Sequence, residues 1–171
     1  MKNQRMLDEL TELMRIDVSS GQETEIAEHL VKKLEQMGFA ITRDEAGATF
    51  GGVCGNILAV REGERDGVVC FCSHMDRVPG GIGIKPVEED GILRSSSDTI
   101  LAADDLSGVA AILEGVRQAI ESGKALPKLE ILFTVGEEAG LYGAKAFDVS
   151  LLTSKTMYVL DSPGRIGRIV N

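Results

Sequence analysis

The stretch VVCFCSHMD, residues Val68–Asp76, constrains the fold of this chain more than any other. Its first half is apolar or cysteine, which is typical of a strand buried on both faces of a sheet. Open α/β sheets place ligands at the C-terminal ends of such strands, and this one ends in Ser73, His74 and Asp76. Residues i and i+2 of a strand share a face, so His74 and Asp76 are predicted to point the same way. The pair suits a metal-binding imidazole oriented by a carboxylate, although a polar turn explains these residues alone more simply.

Composition and charge restrict the class of protein. With 171 residues, of which 43% are hydrophobic and 26% charged, one globular domain with a sizeable core is expected. A formal net charge of -9 argues against nucleic acid or an anionic membrane surface as a partner. No apolar run is long enough to cross a membrane, and the N-terminus MKNQRMLDEL is not a signal peptide. The cysteines Cys54, Cys70 and Cys72 are interpreted as free thiols in a reducing cytoplasm.

Helical and strand patterns alternate along the chain. Apolar spacing predicts helices over residues 3–16 and 105–120, and one between an N-cap at Ser19 or Ser20 and a stop at Gly38. Further apolar runs predict strands over 39–43, 56–61, 129–135 and 156–160, a hairpin turning at 90–91, and the start of a strand over 165–171. This order predicts an α/β domain of three layers, with a mostly parallel central sheet flanked by helices and incomplete at its C-terminus.

Acidic residues follow the other predicted buried strands. The doublet EE at 137–138 comes after LEILFTV, Asp161 comes after TMYVL, and the doublet DD at 104–105 opens a long helix. The C-terminal ends of parallel strands meet at one edge of a sheet, so these carboxylates are expected to converge on His74. One histidine with several carboxylates suits zinc, cobalt or manganese. Each acidic residue alone could cap a helix or form a turn, but one metal site explains all of them together.

Four motifs carry a resemblance to a known family. In chain order they are SHMDRVPG, TILAADDLSG, FTVGEEAGLYGAK and VLDSPGRIG, and they resemble the signatures of the peptidase T-like dizinc exopeptidases. That group belongs to a larger family with aminoacylases, glutamate carboxypeptidases and succinyl-diaminopimelate desuccinylase. The resemblance runs through nearly the whole chain. It implies a zinc exopeptidase-like fold and hydrolysis of an amide bond in a short peptide, with a tripeptide cleaved from its N-terminus as the expected substrate.

The resemblance also implies a set of ligands for two zinc ions, with cobalt or manganese as alternatives. It assigns His74 and Asp161 to one zinc, Asp104 to a bridge between both, and Glu138 to the second zinc. Paired metals need a shared carboxylate, which is the role that Asp104 would have.

Two further residues receive catalytic roles from the same resemblance. Asp76 would orient His74 without binding metal, and Glu137 would be the general base that takes a proton from the attacking water and passes it to the leaving amine. A base for that water has to lie beside the metals without binding them, and adjacent glutamates at a strand-to-helix turn meet this need.

The chain departs from the family pattern in important places. Leu106 stands where the family commonly has a lysine. The family also completes its second zinc site with a histidine from near the end of a longer chain, whereas the only histidines here are His29 and His74, so the second site lacks its histidine. His29 is interpreted as a surface residue of its helix. The family's lid or dimerisation domain and the C-terminal part of its catalytic domain have no counterpart in residues 1–171. The chain is therefore expected to be the N-terminal portion of a dizinc peptidase catalytic domain.

Three functions stay open on this basis. A peptidase acting on short peptides is favoured, an N-acyl amino acid deacylase or desuccinylase would use the same metals, and a non-catalytic metal-binding fragment would suit the incomplete second site. The chain alone is expected to be close to inactive. It is also expected to self-associate through an exposed sheet edge, while a longer chain could form a homodimer through the lid domain.

Overall fold

The computed structural model describes residues 4–162 and 164, which form helices and strands in alternation. The helices are α1 (Gln4–Met14), α2 (Thr24–Gln36), α3 (Ala103–Glu121) and α4 (Tyr142–Ala146). The strands are β1 (Ala40–Arg43), β2 (Ile57–Arg61), β3 (Val68–His74), β4 (Pro86–Glu89), β5 (Ile92–Ser95), β6 (Lys128–Thr134) and β7 (Met157–Val159). Short 3-10 turns cover Ala46–Thr49 and Val149–Leu151. The strand predicted over residues 165–171 lies outside the described residues.

The central sheet has five strands in the order β1-β2-β6-β3-β7. Strand β3 pairs in parallel with β6 and β7, whereas β2 runs antiparallel to β1 and β6. Among the described strands of this sheet β2 alone is reversed, so the prediction of a mostly parallel sheet is confirmed. The register pairs His74 with Thr134, which places the ends of β3 and β6 side by side. Strands β4 and β5 form a separate hairpin around residues 90–91, as predicted.

Each face of the sheet has its own apolar core. Helices α1, α2 and α3 contribute to the larger buried cluster, which contains Ile131 and Phe133 of β6. Between them in sequence, Leu132 belongs to a smaller cluster with Cys72 and Phe147, on the side where the segment after α4 lies. Alternate residues of β6 thus enter different cores, as the two-residue period of a strand requires. The layered α/β architecture predicted from the sequence is confirmed.

The start of α2 differs from the prediction. Neither Ser19 nor Ser20 caps this helix, which begins at Thr24 with Glu23 in the N-cap position and no side-chain cap hydrogen bond. Ser20 instead donates its hydroxyl to the carboxylate of Asp76, at the end of β3. A tertiary acceptor has therefore replaced the local capping bond that the sequence suggested.

Strand β7 was predicted to be buried, and this is wrong. Tyr158 and Val159 expose 56% and 58% of their surface. Within the described residues β7 pairs only with β3, so it stands at an edge of the sheet. The run TMYVL shows that these residues suit a strand, but β-propensity does not reveal whether another strand lies alongside.

The aspartate doublet does not cap α3. Ala102 stands in the N-cap position with a left-handed φ of 57°, and no side-chain cap hydrogen bond forms there. Asp104 and Asp105 have non-helical backbone angles within the first turn. This irregular start leaves Asp104 exposed at the sheet edge and buries Asp105 against the end of β3.

Candidate active site

The predicted site residues meet at one edge of the central sheet. His74 ends β3, Glu137 and Glu138 follow β6, Asp104 lies at the start of α3, and Asp161 follows β7. The three strands are parallel and adjacent, so their C-terminal ends deliver these side chains to the same place. The predicted convergence of one imidazole with several carboxylates is therefore present.

His74 lies at the centre of this arrangement. Its Nε2 atom is 3.1 Å from Oδ1 of Asp104 and 3.9 Å from Oε2 of Glu137. The possible ligand atoms of His74, Asp104 and Asp161 all lie within 4.8 Å of one another, and those of His74, Glu137 and Glu138 do as well. An imidazole nitrogen combined with carboxylate oxygens is a donor set that zinc, cobalt and manganese accept. The residues present thus fit a divalent cation of this class.

The geometry does not separate the roles predicted for the two glutamates. Glu137 and Glu138 both belong to the second group of donors around His74. Their assignment as general base and as ligand stays a prediction, as does the bridging role of Asp104.

The surroundings of His74 favour a cation at its ring. Nδ1 is 3.0 Å from the backbone oxygen of Asp76 and 3.5 Å from its Oδ1 atom. Burial lowers the pKa of His74, but hydrogen bonds to Asp76 and Asp104 outweigh this effect and raise the pKa to about 9. Either a proton on the ring or a metal bound at Nε2 would balance the charge of the surrounding carboxylates.

Asp76 connects His74 to the turn after β6. Its carboxylate is completely buried and accepts the backbone N–H groups of Glu137 at 2.9 Å and Glu138 at 3.1 Å, together with the hydroxyl of Ser20. Burial raises the pKa of Asp76, but hydrogen bonds from His74, Ser20 and Glu137 bring it below its ordinary value. Asp76 is therefore an ionised acceptor that holds two strand ends together.

The two glutamates lie in an environment that disfavours negative charge. Burial raises the pKa of Glu137, and the carboxylates of Asp161 and Asp76 raise it further against the opposing charge of His74. Burial and the carboxylate of Asp104 likewise raise the pKa of Glu138. A carboxylate whose pKa is raised towards neutrality is better suited to transfer a proton in both directions.

Two buried carboxyl side chains around the site received no role from the sequence. Asp105 is buried beneath the end of β3, where its carboxylate accepts the hydroxyl of Ser73, and burial raises its pKa to about 6. Glu23 accepts the N–H of Gly136, immediately before Glu137. The DD doublet was a visible signal for Asp105, whereas nothing near Glu23 in the sequence distinguishes it from a helix-face glutamate.

His29 lies in a separate group of possible ligands with Glu9 and Glu12, on α1 and α2. The Lys33 ammonium lies 2.8 Å from a carboxylate oxygen of each glutamate, so a cation already occupies the space between them. Burial lowers the pKa of His29, which is half-buried. The group is an ion-pair cluster between two helices, away from the edge that carries His74.

Comparison with protein families decides the affiliation of the chain. Residues 56–167 match the model of peptidase family M28, and this range includes every predicted site residue from His74 to Asp161. The chain belongs to peptidase family M28. An M28 peptidase is a metallopeptidase, which agrees with the cluster of donors at the sheet edge.

Solved structures and a curated relative resemble this M28 family member along nearly its full length. The aminopeptidase PepT of Bacillus cereus is 39% identical with a TM-score of 0.93, over 96% of this chain and 45% of that one. A tripeptidase from Staphylococcus aureus is 33% identical with a TM-score of 0.90, over 95% of this chain and 44% of that one. The Bacillus subtilis protein YqjE is 37% identical over 99% of this chain and 46% of its own length.

These relatives are peptidases where their function is named, and they are longer than the M28 chain described above. The chain spans less than half of the length of each of them. Within the described residues, no helix combines the length and the apolar character needed to cross a membrane.

Proposed function

We propose that this chain carries the metal-binding and proton-transferring part of a zinc-dependent peptidase that removes the N-terminal residue from short peptides, with tripeptides as substrates. The observation that carries the proposal is the convergence of the His74 imidazole with carboxylates from three other segments at the sheet edge. The names of the similar proteins, an aminopeptidase and a tripeptidase, support the substrate class.

The proposed ligands divide between two cations. His74 and Asp161 would hold one zinc, Asp104 would contact both ions, and Glu138 would hold the second. When bound, such cations polarise the substrate carbonyl and make an attacking water more acidic. Cobalt or manganese could occupy the same oxygen and nitrogen donors.

Glu137 is proposed as the general base. Its carboxylate would accept a proton from the attacking water and hand it to the leaving amine. Asp76 would keep the His74 ring oriented through contacts at Nδ1, leaving Nε2 free to bind. The chain's own residues would thus supply part of the ligand set, the orientation of the ring and the proton transfer.

The setting is proposed to be the reducing cytoplasm. Cys54, Cys70 and Cys72 are free thiols, and Cys70 and Cys72 are buried in the sheet. Such thiols persist where disulfide formation is not favoured.

The test is a substrate panel assayed with the protein purified as its native gene encodes it. After chelation, zinc or cobalt is added back and release of the N-terminal residue from tripeptides is compared with release of acid from N-acyl amino acids. We expect metal-dependent cleavage of tripeptides. Preferential cleavage of N-acyl amino acids would favour a deacylase or desuccinylase instead. Metal binding without hydrolysis of either class would favour a non-catalytic metal-binding role.

A further inference from the structure

Two buried carboxylates face the turn that carries the paired glutamates. Asp76 accepts the N–H groups of Glu137 and Glu138, and Glu23 accepts the N–H of Gly136 at 3.0 Å. Three successive backbone N–H groups are therefore bound by two side chains from distant parts of the chain. Moving any of these N–H groups away would leave a buried acceptor without its partner, so this pattern restrains the turn.

Glu23 is completely buried, and its hydrogen-bond partners there are backbone N–H groups. Its side chain has 0% exposure, and its Oε1 atom accepts the N–H of Gly21 at 2.7 Å as well as that of Gly136. Its Oε2 atom has no hydrogen-bond partner within the part of the chain that the structure describes. Burying a carboxyl group is costly unless hydrogen bonds offset the loss of water. The two backbone bonds are what compensate Glu23 in this position.

The first residue of the turn is bonded on both sides of its backbone: the oxygen of Gly136 accepts the N–H of Tyr142 at 3.0 Å, and its N–H has Glu23 as acceptor. Gly136 has a left-handed φ of 58°, and the Phe50 ring stands where a Cβ would project. Glycine loses more conformational freedom on folding than any other residue. A single conformation at Gly136 therefore depends on the hydrogen bonds that its backbone groups make. Glu23 is the acceptor for the N–H of Gly136, and Asp76 is the acceptor for the N–H groups of the two residues that follow.

We infer that Glu23 is a positioning residue, which fixes the Gly136–Glu138 turn and thereby holds the Glu137 and Glu138 side chains beside His74. The inference rests on the proposed function, in which these glutamates act as base and ligand. Glu23 acts through backbone N–H groups and not through contact with the reacting atoms. Its loss should therefore loosen the turn first and weaken metal binding as a consequence.

The test compares Glu23→Ala with Glu130→Ala in the native gene product. Glu130 is a matched control because it is also 0% exposed and also accepts two backbone N–H groups, those of Thr153 and Ser154. Amide hydrogen exchange is followed under native conditions, and Co²⁺ affinity is measured by competition with a chelator. We expect Glu23→Ala to speed exchange at Gly136–Glu138 about 10-fold and to weaken Co²⁺ binding about 10-fold, at the lower end of the range for groups that support metal ligands.

Glu130→Ala should leave both measurements at this turn unchanged and speed exchange near Thr153 instead. Glu23→Gln keeps the Oε1 atom that accepts the N–H of Gly136, so amide exchange at the turn should match that of the wild type. If Glu23→Ala does not fold, Glu23→Asp serves in its place, because its shorter side chain keeps the charge but no longer reaches Gly136.

Wild-type exchange at the turn in Glu23→Ala, or in Glu23→Asp where that variant takes its place, would overturn the inference. Equal effects of Glu23→Ala and Glu130→Ala on Co²⁺ binding would also overturn it, because they would reflect a general loss of stability. Failure of the wild-type chain to bind Co²⁺ would count against the proposed function, and exchange at the turn alone would then decide the role of Glu23.

Discussion

The carboxylate of Asp76 accepts the backbone N–H of Glu137 at a distance of 2.9 Å. Asp76 comes two residues after His74, so this bond connects the segment that carries the imidazole to the segment that carries the proposed base. The two residues are separated by 61 positions in the sequence. Their contact follows from the parallel register of β3 and β6, which brings the two strand ends to the same level.

Replacing Asp76 by alanine should weaken metal binding by roughly 10- to 100-fold, the usual range for a group that orients a ligand. The change removes the acceptor for Glu137 and Glu138 and frees the ring of His74 to rotate. His74→Ala should weaken metal binding more, because His74 belongs to both groups of possible ligands. Affinity for Co²⁺, measured by competition with a chelator, gives the comparison. Equal losses in the two variants would contradict an orienting role for Asp76.

Replacing Glu137 and Glu138 by glutamine, one at a time, should separate their roles in the native gene product. Glu137→Gln keeps the shape of the side chain and removes the proton acceptor, so turnover should fall by at least about 100-fold while the metal content stays close to that of the wild type. Glu138→Gln should lose metal. Metal analysis and hydrolysis of a tripeptide are measured on the same samples. Substantial hydrolysis by the Glu137 variant would show that the two roles are reversed.

Gly136→Ala should destabilise the chain by about 2 to 4 kcal/mol. An alanine is strained at the positive φ of this position, and its Cβ would also crowd the ring of Phe50. Gly136 has a φ of 58°, and its Cβ would lie 2.5 Å from Cζ of Phe50. Gly51→Ala is the control, since Gly51 also has a positive φ, of 81°, but no atom lies within 4 Å of its Cβ position. The control should lose only about 1 to 2 kcal/mol. Urea unfolding of both variants checks the difference, and equal losses would rule out crowding by Phe50.

Glu114 should make stability depend on pH in the acid range. Its carboxylate accepts hydrogen bonds from Arg5, Gln118 and Arg117, which lower its pKa from 4.5 to about 2. A pKa lower in the folded than in the unfolded chain adds stability that is present above about pH 4.5 and is lost as the pH falls towards about 2. Glu114→Gln should therefore cost about 1 to 2 kcal/mol near neutral pH and progressively less in acid.

Urea unfolding of wild type and Glu114→Gln across this pH range provides the measurement. Glu121→Gln is the control, because Glu121 also contacts Arg5 but its side chain is 52% exposed, so the change should cost less than Glu114→Gln. A difference between wild type and Glu114→Gln that does not shrink in acid would contradict the assignment.

The sequence alone was sufficient to predict the layered fold and the place of the site. The buried strands β3 and β6 were recognisable because long apolar runs need two covered faces, and their parallel pairing follows from the helix between them. Once the strands are parallel, the residues directly after them must share one edge. That geometric necessity is why the sequence predicts that His74, Glu137 and Asp161 meet.

The tertiary structure alone decided what holds those residues in place. Glu23 contacts Gly136 across 113 positions, and Ser20 reaches Asp76 across 56, so neither bond has a counterpart in local sequence pattern. The exposure of β7 was equally invisible, because it depends on which strand lies beside it and not on its own composition. The periodicity of apolar residues in a sequence indicates which face of a helix or strand is buried. A hydrogen bond between a side chain and a distant backbone group needs only one polar residue, so it leaves no repeating pattern in the sequence. The chain's sequence therefore determined where the chemistry lies, and its folding determined which carboxylates serve as supports.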